Sequence, residues 1–237
     1  MDNPGYVSLT RQSGLMQEMQ IVANNIANAG TTGFRREGSA FSEFVAKVGA
    51  DRPTLSMGRH AVRFPDLDQG ALKETGGAFD LAIQGDGFFG VMAPDGVKLT
   101  RAGAFTLRPD GELVTSDGYP VLDAGEAPIF IPPDASDLQI SADGTISADN
   151  SVVGQFGLFR PVDGMALTRS ESTTFATEQF EPVEQVQVVQ GFVELSNVNP
   201  VREITRIIEV QRAYELGQKL MDQEHERIRS VMQTLTR

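Results

Sequence analysis

The stretch from Pro200 to Leu235 reads PVREITRIIEVQRAYELGQKLMDQEHERIRSVMQTL. Ile207, Tyr214, Met221, Ile228 and Leu235 recur at every seventh residue, flanked by Ile204, Ile208, Val210, Val231 and Met232. That is the period of a helix packed against other helices. Pro200 suits a first helical turn, where its missing N–H goes unused. Glu215 precedes Lys219 by one turn, the favourable order for a helical ion pair. At 1.5 Å per residue the segment is a rod of roughly 50 Å. A second segment, about Tyr6 to Asn28, carries a similar pattern in Leu9, Met16, Met19, Ala23 and Ile26, with Leu15 and Val22 beside it. Gly30 and Gly33 follow and are able to end that helix.

Between the two helices the pattern changes. Phe79, Leu81 and Ile83 alternate with other residues at period two, and Asp-Gly pairs begin at Asp86, Asp95, Asp110, Asp117, Asp143 and Asp163. Asp-Gly is a strong turn signal because both residues tolerate positive φ. Short apolar runs separate the turns: Phe88-Phe89, Val97 to Leu99, Phe105 to Leu107, Leu113-Val114, Val121-Leu122, Ile129 to Ile131 and Phe156 to Phe159. Many short strands with frequent turns predict an all-β region. The expected fold class is therefore α+β, with N- and C-terminal helices forming a coiled-coil-like layer around one all-β middle domain. The expected segments are residues 1–34 for the first helix, 35–77 for a connector with some strand, 78–195 for the β-rich domain and 196–237 for the last helix.

Composition narrows the function. The 237 residues carry 32 acidic and 20 basic side chains, a net charge of −12. Residues 80–195 hold 18 acidic and 5 basic groups, while both ends of the chain are near neutral. So negative a surface argues against nucleic acid and anionic lipid as partners. The near-neutral ends suit segments that pack closely against copies or neighbours. There is no cysteine, hence no disulfide, thiolate chemistry or Cys-based zinc site. No stretch approaches the ~20 apolar residues of a membrane span, so no direct membrane insertion is expected. The start, Met1-Asp2-Asn3-Pro4-Gly5, has neither the basic nor the apolar region of a Sec-type signal peptide.

Catalytic signals are weak. Gly85-Asp86-Gly87-Phe88-Phe89-Gly90 fits a dinucleotide fingerprint in letters only, because Val91-Met92-Ala93-Pro94-Asp95-Gly96 follows where a helix is needed. The acidic residues follow turn grammar rather than the pairing of a glycosidase, and Asp143 and Asp149 lack the spacing of a calcium loop. His60 and His225, the only histidines, have no paired ligand nearby in sequence. No catalytic residue, cofactor or metal is expected. Five asparagines remain: Asn24, Asn25 and Asn28 at the end of the first helix, and Asn197 and Asn199 before the last. At a helix end an asparagine is a cap; buried between helices it fixes their register.

The residues around these asparagines carry a resemblance. Ala23 to Asn28 followed by Thr31-Thr32-Gly33-Phe34-Arg35 resembles the N-terminal signature of the flagellar rod and hook proteins. Ser196-Asn197-Val198-Asn199-Pro200, then Gln211-Arg212-Ala213-Tyr214-Glu215, resembles their C-terminal signature. Gly70, Thr75-Gly76, Leu81-Ala82-Ile83, Gly85 to Phe89, Thr100 to Gly103, Asp110 to Val114 and Asp117 to Pro120 continue the likeness through the middle. The compact length and the Met1-Asp2 start are most like the proximal-rod members, with distal-rod members the nearest rival. Pro4-Gly5 departs from a family that is usually helical there.

The resemblance implies a structural subunit of the flagellar basal body, not an enzyme. It implies export by the flagellar type III apparatus and helical assembly, with other copies and other rod proteins, into a rod that crosses the periplasm and carries torque from motor to hook. The implied roles are assembly roles. Asn24, Asn25 and Asn28 fix packing at the end of the first helix, and Gly33 and Phe34 shape the exit from it. Asn197, Asn199 and Pro200 set the start of the second helix, and Ile207, Tyr214, Met221 and Ile228 form its seam. Arg212 and Glu215 are either an intersubunit or capping pair or an ordinary exposed pair along the helix. The alternative from another class is an acidic β-domain enzyme or carbohydrate-binding module with accessory helices.

Overall fold

The computed structural model describes residues 3–46, 55–135, 137–162, 167–183 and 186–235. The chain divides into two units: a helical one of Met1–Ala27, Glu37–Phe64 and Asn199–Arg237, and a β-rich one of Asn28–Arg36 and Pro65–Val198.

In the helical unit, α1 (Asn3–Ala27) and α2 (Pro200–Leu235) accompany a two-stranded sheet of β1 (Glu37–Ala46) and β2 (Leu55–Pro65). Helix α1 starts at Asn3, so Pro4 and Gly5 lie in its first turn, where proline is tolerated. The helices pack antiparallel: Asn25 meets Glu203, Glu18 meets Arg206, and Gln12 lies against Gly217. The shielded line on α2 is Glu203, Ile207, Val210, Tyr214, Gly217, Met221 and Glu224, with steps alternating between four and three. On α1 the buried residues are Gly14, Glu18, Ile21, Val22 and Asn25. The heptad spacing is real, but the expected stripe on α1 is misplaced. Leu9, Met16 and Ala23 are exposed, because two polar residues, Glu18 and Asn25, occupy the inner line where apolar side chains were expected. On α2, Ile207, Tyr214 and Met221 lie on the shielded line whereas Ile228 is exposed. No described helix is long and apolar enough to cross a membrane.

The β-rich unit is antiparallel. Its largest sheet runs Thr168–Arg169, Thr174–Ala176, Gly96–Thr100, Phe88–Ala93, Leu158–Pro161, Phe180–Pro182. A three-stranded sheet orders Ser151–Gln155, Thr145–Ala148, Leu138–Ile140. Three strand pairs complete it: Leu81–Gln84 with Gln187–Gln190, Leu72–Glu74 with Phe192–Glu194, and Phe105–Leu107 with Leu113–Thr115. The runs at Val121-Leu122 and Ile129 form isolated bridges and hydrogen bonds rather than long strands. Leu81, Ala82 and Ile83 are all buried, so this strand is covered on both faces rather than alternating. Gly96, Gly111, Gly118 and Gly144 take positive φ after their aspartates, whereas at Asp86 the positive φ belongs to Gly85 before it and not to Gly87 after it; Asp163 lies outside the described residues. A strand, not a helix, follows the glycine-rich run, and the ring of Phe159 fills the space a side chain at Gly90 would need.

The core centres on Phe89, whose ring meets Phe105 edge-on at 5.1 Å and Phe156 at 5.8 Å, among Leu81, Ile83 and Leu113. Truncating a buried phenylalanine removes both transfer energy and packing. Phe89→Ala is expected to destabilise the β-rich unit by about 4 kcal/mol, read as a shift in the urea midpoint.

Candidate functional site

Two polar clusters organise the segments that carry the asparagines. The first is in the helical unit. Asn25 is fully buried: its Nδ2 donates to the Glu37 carbonyl at 2.9 Å and to Glu203 Oε2 at 3.1 Å, and its Oδ1 accepts from the Glu37 N–H at 2.9 Å. One amide thus joins α1, the start of β1 and the first turn of α2. A one-residue slip of either helix would carry it away from both partners, which is how a buried amide specifies register. Glu18 adds a second tie seven residues earlier, accepting from Arg206 Nε at 2.7 Å. Asn199 caps α2, its Oδ1 accepting from the N–H groups of Val201 at 3.1 Å and Arg202 at 3.2 Å, with Pro200 as the first helical residue.

The second cluster is in the β-rich unit, around a strap formed by Asn28–Arg36. Glu194, 1% exposed, binds Arg35 Nη1 at 2.8 Å and Arg101 Nη1 at 3.2 Å and accepts from the Gly70 N–H at 2.9 Å. Arg35 also donates to the Asp68 carbonyl, and Arg101 to the carbonyls of Ile83 and Gly85. Gly33, at φ 70°, donates to the Glu194 carbonyl at 2.7 Å; a Cβ there would come within 2.2 Å of the Ala102 nitrogen. Phe34 is fully buried under the Arg169 guanidinium, which stacks 4.3 Å from its ring and 4.8 Å from that of Phe175. Arg169 donates to the Arg35 carbonyl as well. Asn28 accepts from Thr31 Oγ1 at 3.2 Å and Ser172 Oγ at 2.9 Å. Asn197 gathers the neighbouring segments. Its Oδ1 accepts from the Arg36 N–H at 2.6 Å, and its Nδ2 donates to the carbonyls of Asp66 at 3.1 Å and Asp68 at 2.9 Å.

Burial pushes the Arg101 guanidinium down to about 10, against the opposing pull of Glu194, and lowers Arg35 for the same reason. The Arg101 value, though lowered, still lies well above 7, so that group stays cationic through neutral pH. The cost of burying them is relieved only as pH rises through the Arg101 value. Glu194 is the carboxylate that faces both guanidiniums.

Of the residues singled out from sequence, Asn25, Asn28, Gly33, Phe34, Asn197, Asn199 and Pro200 make the contacts above. Asn24 is exposed. Gly30 lacks positive φ, and the helix ends at Ala27, before either glycine. Arg212 is exposed, and Glu215 accepts from Gln211 Nε2 at 3.1 Å. His225 is exposed with its Nδ1 3.2 Å from the Met221 carbonyl, while the His60 side chain lies outside the described residues. Arg101, Arg169 and Glu194 were not singled out. Arg101 falls in the Thr100 to Gly103 stretch quoted for the resemblance, and both arginines are positive charges in a region otherwise strongly acidic, but nothing local in the sequence joins them to Glu194.

Glu194→Gln leaves two buried guanidiniums short of their counter-charge and is expected to cost about 3–5 kcal/mol. The loss should be the same at pH 6 and pH 9 by urea denaturation. Asn25→Ala removes three hydrogen bonds and is expected to lower stability by about 3 kcal/mol, read as early loss of the 222 nm helical signal.

Comparison with known proteins finds three matching segments along the chain. Residues 6–35 match the family described as "Flagella basal body rod protein", 82–148 the "Flagellar hook protein FlgE/F/G D1 domain", and 189–234 the "Flagellar basal body rod FlgEFG protein C-terminal". A flagellar basal-body rod protein FlgF of Caulobacter vibrioides is 42% identical over 99% of this chain and 98% of its own length. The FlgF of Mesorhizobium japonicum is 40% identical over 94% and 93%. A FlgG of Bacillus subtilis is 30% identical over 91% and 92%. Proteins of this kind are structural, which removes the enzyme alternative. With its full-length similarity and its three matched segments in order, the chain belongs to the flagellar basal-body rod protein family.

Proposed function

We infer that this structural rod subunit belongs to the proximal part of the rod and polymerises helically, carrying torque from motor to hook. What supports the proximal reading is the level of identity: three relatives described as FlgF reach 37–42%, whereas those described as FlgG, and the FlgF of Salmonella typhimurium, stand at 29–31%. In this reading α1 and α2 form a coiled-coil-like layer with the helices of neighbouring subunits. The subunit reaches the rod through the flagellar type III apparatus and sits where the rod crosses the periplasm. Asn25, Glu203 and Asn199 serve assembly by fixing the register in which the helix pair is presented. Gly33, Phe34 and Asn197 serve it by holding the strap rigid. A shaft needs each subunit to resist internal sliding, and buried polar register locks provide that at some cost in stability.

Deleting the gene is expected to abolish swimming and to leave basal bodies that stop short within the rod, with no hook, by electron microscopy. Rods that stop only beyond the proximal segment would assign the chain to the distal rod. Complete basal bodies would overturn the subunit reading.

A further inference from the structure

The six Asp-Gly pairs of the chain share one chemical reactivity, and the fold does not treat them alike. At such a pair the glycine nitrogen is able to reach the aspartate side-chain carbon, because the glycine has no side chain to stand in the way. The reaction needs a carboxyl group that nothing holds, a glycine N–H not already bonded, and water at hand.

Four pairs lack one or more of these. Asp95 is ion-paired with Lys98 at 2.8 Å, and Gly96 lies in a strand opposite Ala93. The Asp110 carboxylate accepts from the Glu112 N–H at 3.2 Å, and the Gly111 N–H donates to the Arg108 carbonyl at 2.9 Å. The Gly118 N–H donates to the Thr115 carbonyl at 2.9 Å. The Asp143 carboxylate accepts from the Thr145 N–H at 3.0 Å and its hydroxyl at 2.9 Å, and the Gly144 N–H donates to the Ser141 carbonyl at 2.9 Å. Asp86 and Gly87 differ. Their bend joins the strands Leu81–Gln84 and Phe88–Ala93, and Asp86 is exposed to water. Among the described residues, no hydrogen bond or ion pair holds the Asp86 carboxylate, and the Gly87 N–H donates to no carbonyl.

We propose that Asp86 is the site at which the folded chain converts aspartate to isoaspartate. The carboxylate takes a proton from solvent, and the Gly87 nitrogen bonds to the side-chain carbon. The N–H proton and the carboxyl OH leave as water, and a cyclic succinimide remains. Water then reopens the ring and a proton returns to solvent. Opening at the side-chain carbonyl restores aspartate. Opening at the main-chain carbonyl leaves the backbone running through the side chain, one carbon longer, with the carboxylate displaced. No oxidant or cofactor enters. The change falls beside the Glu194 cluster. The Gly85 carbonyl accepts from Arg101 Nη2, and the charge of Asp86 acts on both Arg35 and Arg101.

The test uses the full-length protein, aged for weeks in warm neutral buffer. Isoaspartyl O-methyltransferase and methyl-labelled S-adenosylmethionine then mark each isoaspartate, and mass spectrometry maps the label. Most of it should lie on the peptide that holds Asp86. A sample aged in concentrated urea should spread the label over several Asp-Gly pairs, because the selectivity comes from the fold. Gly87→Ala places its Cβ 3.4 Å from Val186, an ordinary contact, and should cut the label on Asp86 at least fivefold. Asp86→Glu should remove most of the total label, whereas Asp117→Glu should leave it unchanged. Label chiefly on any other pair, Asp163 included, overturns the proposal. So does an absence of label, or the same distribution with and without urea. Aged protein should also unfold at lower urea than fresh protein, and aged Asp86→Glu should not. Equal midpoints for aged and fresh protein would sever the link to the Arg101 contact.

Discussion

The buried carboxylate of Glu194 is the constraint on which the β-rich unit depends. Two guanidiniums have been taken out of water, and one carboxylate stands between them. Neither arginine is there for Coulomb energy alone, since desolvation offsets much of what an ion pair gains. Arg35 Nε and Nη2 and Arg101 Nε find no acceptor among the described residues. The gain is in specificity. Arg35 comes from the strap, Arg101 from the loop after a central strand, and Glu194 from the last strand before α2 begins to form. Only one docking of the strap lets all three charges meet, and Gly33 removes the side chain that would block it.

Asn25 plays the equivalent part in the helical unit, with an amide in place of a charge. A leucine at that position would bury more apolar surface but would pack equally well one turn away. The amide has partners at one setting only. The two clusters share a logic: polar groups buried where sliding must be prevented, surrounded by apolar packing that supplies most of the stability. The near-full-length likeness to structural rod proteins fits that logic.

Much of this could be read from the sequence, and the reasons differ by element. Helix α2 was legible because an apolar residue at every seventh position from Ile207 to Leu235 suits a packed helix and neither a strand nor a loop. The β-rich middle was legible through Asp-Gly turns, which report backbone conformation locally. The inner face of α1 was not. Leu9 and Met16 made the apolar stripe, yet Glu18 and Asn25 face the partner, and polar residues are buried only when a distant partner answers them. The joining of Arg35 and Arg101 to Glu194 was invisible for the same reason, since 93 residues separate Arg101 from Glu194 and no local pattern joins them. The asparagines were found, but as caps or register residues without distinction. The structure separates the roles: Asn199 caps, Asn25 sets register, and Asn197 ties segments together.

Asn197 leads to a mechanical consequence. Arg36, Asp66 and Asp68 are all bonded to its one side chain, and Phe34 accepts from its backbone N–H. Arg36, Asp66 and Asn197 itself stand next to three of the four points at which the chain passes between the two units. Tension arriving along any one of those backbones is shared at once by the others, so the bonds rupture together in parallel rather than unzipping one by one. A fastening of that kind yields abruptly at high force and hardly creeps below it.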